Sequence, residues 1–527
     1  MNNQQPKTSN QKLLAIWFPI IFSAGLLILS FPKTDWFLLA WVGFVPLLAL
    51  CEDCTFKQCF WNFYWTGLFF FLGVFYWIGF SGFMVGEAWL GVLTFAGAAL
   101  LCAYFAFYFG LFGMIYFYRR KLWMPVLVLP AAWVILEYGR AHFLSGFGWA
   151  SLGYSQYKNL PLIQIADLTG VYGISFAVFF VNLCVWQAAC LRRKNIKSLG
   201  WLIIAAGLLS FMAVYGVRQI KKFDQLQSSE VKVAIVQGNV PQDEKWNPEK
   251  WPAILDKYLK LTQTAIAMKP DLVVWPETSF PGLLWQDKKY FESLMSFSSL
   301  HKTSLLVGSV VGENDKYFNS AFLLSSRGAI AGRYDKIHLV PFGEYVPLRK
   351  QIPALASLIP MTDFTSGREL IVFDLGEKQK SARFAVLICF EDAIPEIVSK
   401  FVERGAQFLV VITNDAWFAD TKAPFMHWQV SVLRAVENRR SVLRAANTGV
   451  SGFISPSGKM TGMVKNFSGK ATYIEGAAMQ PVLLVTDMTF YVRHGDVFVW
   501  GCLLLCGLGI TLNFLTMNYS TGRKEYA

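Results

Sequence analysis

Three residues of reactive type stand at the ends of apolar stretches. Glu277 ends Val273-Val274-Trp275-Pro276-Glu277, Lys336 follows Tyr334-Asp335, and Cys389 follows Phe384-Ala385-Val386-Leu387-Ile388. Together they supply a base, a cation and a nucleophile. A carboxylate takes a thiol proton, and an ammonium stabilises first a thiolate and then the oxyanion of a tetrahedral intermediate. The backbone N–H of Phe390 is a natural second oxyanion donor. Read singly, each residue has a plainer role: Glu277 in a solvated turn, Lys336 as a surface charge, Cys389 as a buried core thiol. Cys389 is, however, the only cysteine between Cys190 and Cys502, so it has no disulfide partner in that span. His338 and His427 fall near these residues, but no metal-ligand spacing joins them. No metal or organic cofactor is expected.

The elements that must position them follow from pattern. Continuous apolar runs of this length read as strands buried on both faces. Strands are expected at Val231–Gln237, Leu272–Trp275, Ser304–Val311, Ser320–Ser325, Phe384–Cys389, Phe408–Thr413 and Val442–Ala446. Helices are expected at Trp251–Met268, Lys289–Ser299, Ile394–Arg404 and His427–Asn438. The alternation argues an α/β domain around a central, largely buried sheet, with polar residues gathered at strand ends.

The rest of the chain has another character. Of 527 residues 54% are hydrophobic and only 16% charged, and mean hydropathy is +0.39, against about 25% charged in a soluble domain. Net charge is +13, but the basic residues cluster at the ends of apolar runs, as Arg119-Arg120-Lys121, Arg192-Arg193-Lys194 and Arg523-Lys524. Membrane anchors have that pattern, and nucleic-acid binding is excluded by it. Apolar runs near Leu13–Phe31, Trp36–Leu50, Phe63–Phe80, Ala88–Tyr118, Trp123–Tyr138, Ile163–Leu191, Leu199–Val217 and Val497–Phe514 make about eight spans. Residues 1–217 are expected to hold spans one to seven, 218–496 an extracytoplasmic domain, and 497–527 the last span and a short cytoplasmic tail. Both termini are then cytoplasmic. Cys51-Glu-Asp-Cys54 with Cys59 lacks a second Cys pair or a nearby His, and reads as reduced thiols in a cytoplasmic loop.

Trp-Pro-Glu277, Lys336 with Pro-Phe-Gly-Glu344, and Ile-Cys389-Phe-Glu391 resemble the nitrilase superfamily, whose catalytic set is Glu-Lys-Cys. The spans around such a domain resemble more narrowly the apolipoprotein N-acyltransferase family, over nearly the whole chain. Gly146-Phe-Gly-Trp149, Gln237-Gly-Asn239, Lys245-Trp246 and Asn414-Asp415-Ala-Trp417-Phe418 support this. The resemblance implies a four-layer α-β-β-α sandwich on the periplasmic side of a bacterial inner membrane. It implies a Cys389 thioester formed from a phospholipid, typically phosphatidylethanolamine, and passed to the α-amine of a diacylglyceryl-cysteine at the start of an apolipoprotein. Glu277 becomes the general base and Lys336 the charge stabiliser. Glu344 and Glu391 become supporting acids; Phe390, Tyr345, Trp246, Trp149 and Gly146 become supporting or substrate-binding positions. Phe390 departs from the Tyr the family often has after its nucleophile. A monomer suffices.

Several readings stay open. Ser145–Gln156 fits an interfacial aromatic belt or a lipid-facing mouth. Phe280–Trp285 and Ile352–Met361 fit a mobile lid or core packing. A membrane-anchored amidase keeps the three reactive residues but needs only one or two spans. A transporter or receptor needs mid-span charges or matched broken helices, which the sequence does not offer.

Overall fold

The structure, a computed structural model, describes residues 9–85, 88–122, 124–144, 146–191, 198–280, 282–283, 286–349, 351, 362–376 and 381–522. The proposed lid segment Ile352–Met361 lies outside the described residues, as do Pro281, Leu284 and Trp285 of the other. Two compact units are formed, one of residues 1–79, 92–218 and 496–527, the other of residues 80–91 and 219–495. The expected boundaries at 217 and 496 fall beside these, with the short 80–91 segment added to the second unit.

The first unit is helical. Among the described residues, Phe56–Met84, Ala88–Lys121, Val171–Cys190 and Leu199–Asp224 are long and apolar enough to cross a membrane. Leu13–Leu29 and Val497–Leu512 are shorter apolar helices. The stretch expected as the second span is not one helix. It is a 3-10 turn at Phe37–Trp41 and a six-residue helix at Val45–Leu50. Pro46 sits in the first turn of the latter, where its missing N–H costs nothing, and so starts a helix rather than continuing one. The Ile163–Leu191 run is likewise broken, into Leu160–Ile163, Ala166–Thr169 and Val171–Leu191.

Among its described residues the second unit holds twelve strands: β1 Glu230–Gln237, β2 Leu272–Val274, β3 Ser304–Glu313, β4 Lys316–Leu324, β5 Ile330–Asp335, β6 Val372–Asp374, β7 Arg383–Ile388, β8 Phe408–Thr413, β9 Ser441–Ala446, β10 Gly452–Ile454, β11 Met460–Thr461 and β12 Gly476–Leu483. They form two sheets rather than the single central sheet read from alternation. Their orders are β12-β1-β2-β3-β4-β5 and β11-β10-β9-β8-β7-β6. Each has three parallel strands at its centre, β1-β2-β3 and β7-β8-β9, flanked by antiparallel ones. Parallel centres need both faces covered. Helix Trp251–Ile266 lies on β1 and β12, Pro395–Glu403 and Ala423–Asn438 lie on β7 and β9, and β1 meets β9 between the sheets. That is an α-β-β-α sandwich. Trp275 anchors the end of β2: its ring stacks on Tyr258 at 4.8 Å and its Nε1 donates to Thr262 Oγ1 at 2.8 Å.

Candidate active site

Glu277, Lys336 and Cys389 each leave the end of a strand, β2, β5 and β7. Glu277 sits in a tight turn packed against Gly308 of β3. A Cβ on Gly308 would lie 2.4 Å from the Pro276 carbonyl and 2.8 Å from the Glu277 Cα, so the approach requires glycine. The carboxylate is held from both sheets. Its Oε1 accepts from Asn319 Nδ2 at 2.7 Å, and its Oε2 from the Asn414 backbone N–H at 2.8 Å.

Lys336 prolongs β5. Its N–H donates to the Asn319 carbonyl and its own carbonyl accepts from Gly367, both at 2.8 Å. The ammonium is 1% exposed and lies 2.8 Å from Glu344 Oε2 and 3.7 Å from Glu277 Oε1. Burial alone would lower its pKa, but the Glu344 carboxylate, with Glu277 acting in the same sense, outweighs that and raises it. Lys336 therefore stays charged. Asn319 also donates to Glu344 Oε1 at 2.9 Å, so one amide spans both carboxylates. Sequence reading missed Asn319. It began that strand at Ser320, because asparagine is a poor strand former.

Cys389 is half-buried with φ +56°, a left-handed conformation that costs a non-glycine residue about 1–3 kcal/mol. Burial and then the Glu277 carboxylate push its thiol well above the ordinary value, while Lys336 pulls the other way. Cys389 therefore rests as a thiol, and any attack by its sulfur requires that proton to leave. Glu391, two residues on, is fully buried and fastens this turn to the Lys336 segment. Its Oε2 accepts from Ile388 N at 2.8 Å, and its Oε1 from Tyr334 Oη at 2.7, Ile337 N at 2.8 and His338 N at 3.2 Å. Burial raises it to about 7, yet four donors aimed at it demand the ionised form.

Behind Cys389 lies a second buried cluster, also missed. His427 Nε2 donates to the Cys389 carbonyl at 3.1 Å and to Asp392 Oδ1 at 3.0 Å, and its Nδ1 to Asp415 Oδ1 at 3.1 Å. Arg444 reaches Asp392 at 3.3 Å and Asp415 at 3.5 Å. The one sequence signal was the set of charged residues inside otherwise apolar strand and helix patterns, which only a buried network allows.

Other expected positions scatter. Phe390 is half-buried and stacks on His338 at 6.1 Å. Tyr345 is half-buried and its carbonyl accepts from Phe342 N at 2.7 Å. Trp246 is 46% exposed beside buried Lys245, whose Nζ donates to the Glu277 carbonyl at 3.1 Å. Burial pulls the Lys245 pKa down to about 7. Gly146 and Trp149 belong to the helical unit. Gly146 has φ +72°, and a Cβ there would lie 1.9 Å from the Ala141 carbonyl. Trp149 is buried, its ring 5.5 Å from Trp77. Arg140 fixes that loop by donating to the carbonyls of Phe147 and Trp149 and to Ser151 Oγ at 2.6, 2.8 and 3.0 Å. Glu137 accepts from Trp133 Nε1 and Leu152 N, both at 2.8 Å. Both side chains are buried.

Residues 23–184 match the apolipoprotein N-acyltransferase N-terminal domain, and residues 232–475 match carbon-nitrogen hydrolase. The apolipoprotein N-acyltransferase of Geobacter metallireducens is 38% identical over 92% of this chain and 92% of its own length. That of Shewanella oneidensis is 31% identical over 83% and 85%. Among solved structures, an amidase from Nesterenkonia sp. AN1 is 17% identical with a TM-score of 0.39, covering 52% of this chain and 97% of its own.

Proposed function

The chain belongs to the apolipoprotein N-acyltransferase family, and from that membership and the site's geometry we propose how its residues carry out acyl transfer. The donor is a phospholipid, with phosphatidylethanolamine as the expected one. The acceptor is the α-amine of an S-diacylglyceryl-cysteine at the start of an apolipoprotein. The enzyme works as a monomer in a bacterial inner membrane, with its α/β domain on the periplasmic side and both termini in the cytoplasm. The observation that carries this reading is the Lys336 ammonium 3.7 Å from the Glu277 carboxylate, on a segment that Glu391 ties to the turn bearing Cys389.

In the first half, Cys389 Sγ attacks the acyl ester carbonyl as Glu277 takes the thiol proton. The oxyanion is stabilised by the Lys336 ammonium and the Phe390 N–H. Collapse expels the lysophospholipid, whose oxygen takes the proton back from Glu277. In the second half the acceptor amine attacks the thioester. Glu277 takes a proton from nitrogen and returns it to the departing Cys389 sulfur. Glu344 and Asn319 hold Lys336 and Glu277 at their separation through both halves. Moving a whole lipid into water would expose chain at about 0.8 kcal/mol per CH₂, so a membrane-embedded enzyme suits both substrates.

The test is a transfer assay with one defined phospholipid and two peptides, one with a free N-terminal diacylglyceryl-cysteine amine and one N-acetylated. Acyl transfer to the free amine alone is expected. Release of free fatty acid at the same rate with the blocked peptide would instead make the protein a hydrolase.

A further inference from the structure

Cys51-Glu-Asp-Cys54 forms the turn between helices Val45–Leu50 and Phe56–Phe75, and the structure gathers a third sulfur there. The Cys59 thiol reaches back to this turn, donating to the carbonyls of Cys51 at 3.9 Å and Cys54 at 4.0 Å. Asn62, one turn beyond Cys59, is buried and points its Nδ2 at Cys51 Sγ at 3.7 Å and Cys54 Sγ at 3.5 Å. Arg119 is buried alongside, donates to the Glu52 carbonyl and lies 4.3 Å over the Tyr116 ring. An amide donor and a fixed cation therefore face a pair of thiols. The pair is asymmetric: Cys51 is fully buried and Cys54 half-exposed. Among the described residues these sulfurs do not make a group of three within 4.8 Å of one another, so the arrangement falls short of a metal cage.

We propose that Cys51 and Cys54 are a redox-active dithiol that exchanges with disulfides, Cys54 being the attacking sulfur and Cys51 the resolving one. The exposed member must meet the co-reactant first, and the buried member shares the Asn62 amide with it, at 3.7 Å against 3.5 Å for Cys54. The hydrogen bond from Cys51 brings the Cys54 thiol down to about 7 against burial, and Asn62 and Arg119 act in the same sense. The bonds to Cys54 and Cys59 hold Cys51 as a thiol. Cys54 thiolate attacks a small-molecule disulfide, forming a mixed disulfide and expelling one thiolate. Cys51 then gives up its proton to that thiolate and attacks the Cys54 sulfur, expelling the second. Two protein thiols are oxidised and one disulfide is reduced to two thiols. The chemistry is separate from acyl transfer, because Cys389 takes no part in it.

The experiment uses the full-length protein in detergent, equilibrated in reduced and oxidised glutathione, quenched by alkylation and mapped by peptide mass spectrometry. Cys51–Cys54 is expected as the first disulfide, with the loss of two hydrogens. Cys51→Ser is expected to trap one glutathione on Cys54; Cys54→Ser abolishes both products; Cys59→Ser leaves the disulfide forming. In the unmutated protein at pH 7, Cys54 is expected to alkylate about fivefold faster than an unstructured cysteine peptide, the gain in thiolate outweighing its lower nucleophilicity. A first disulfide between any other pair, unresolved glutathione on Cys54 in the unmutated protein, or alkylation of Cys54 no faster than the peptide would each overturn the proposal.

Discussion

Two clusters of buried charge meet at Cys389, and they are wired differently. One has two carboxylates, Glu277 and Glu344, around one cation, Lys336. The one that touches the Cys389 carbonyl has two carboxylates, Asp392 and Asp415, matched by His427 and Arg444. A matched buried set is costly to break and holds geometry. A set with one carboxylate in excess keeps a group that can still accept a proton. On the proposed mechanism the chemistry falls to Glu277 and Lys336, and the Asp392, His427, Asp415 and Arg444 set holds the Cys389 turn in place.

The comparison breaks most sharply at the thiol itself. Cys389→Ala is expected to lower transfer by about 10⁴-fold or more while leaving the thermal midpoint nearly unchanged, measured by turnover and thermal unfolding of the same preparation. Lys336→Met is expected to lower turnover by roughly 10³-fold through loss of oxyanion stabilisation. It also leaves Glu277 and Glu344 facing each other uncompensated, so stability falls with it. Glu277→Gln should separate the two effects in part, with turnover down by roughly 10²–10⁴-fold and a smaller loss of stability than Lys336→Met, because the amide oxygen keeps the acceptor for Asn414 while its NH2 faces the Asn319 donor.

The matched cluster should respond the other way round. Asp392→Asn leaves His427 and Arg444 short of a partner and is expected to cost about 3–5 kcal/mol of stability, seen as a lower unfolding midpoint. Turnover per folded molecule should fall far less than in Glu277→Gln. Acid titration sharpens the same point. Burial alone would raise the Asp415 carboxyl, but Arg444 and His427 bring it from 3.8 to about 2. A depressed folded pKa gives stability that is complete above the unfolded value and lost as pH falls through the folded one. The α/β domain should therefore lose this stabilisation between about pH 4 and 2, and Asp415→Asn should lose that part of the pH dependence in chemical unfolding. The smallest effect belongs to Phe390→Tyr: the side chain stacks on His338 and its backbone N–H is untouched, so turnover within about threefold is expected, the hydroxyl adding a single hydrogen bond at most.

The reactive residues were legible because each ends a strand whose apolar run is unmistakable, and because motif neighbours such as Pro341-Phe342-Gly343-Glu344 fix a turn. The parallel strands were legible for the same reason. The edges were not. β12 carries Pro481 and opens Gly-Ala-Ala, β6, β10 and β11 are two or three residues long, and such strands are set by their neighbours rather than by local pattern. Two sheets instead of one could be had only from the family resemblance, since alternation gives strands without partners. Asn319, Asp392 and Arg444 escaped, as did the pairings of Lys245, His427 and Asp415, because these roles depend on contacts across up to 52 residues, as Asp392 and Arg444 show. The second span misled by composition: Trp36–Leu50 is apolar throughout, but Pro46 begins a new helix there.

The two tuned cysteines extend the comparison. Cys389 is held up as a thiol beside a base, and Cys54 is drawn down as a thiolate beside an amide and a guanidinium. One is arranged to pass a proton to Glu277, the other to attack without a base.

The central claim is that the acyl chain rests on Cys389 between donor and acceptor. Intact-protein mass spectrometry after incubation with one defined phospholipid and no acceptor tests it most directly. A mass gain of one acyl chain is expected, absent in Cys389→Ala and discharged on adding a diacylglyceryl peptide with a free N-terminal amine. An adduct that persists in Cys389→Ala, or one that the peptide fails to discharge while transfer proceeds, would contradict the account.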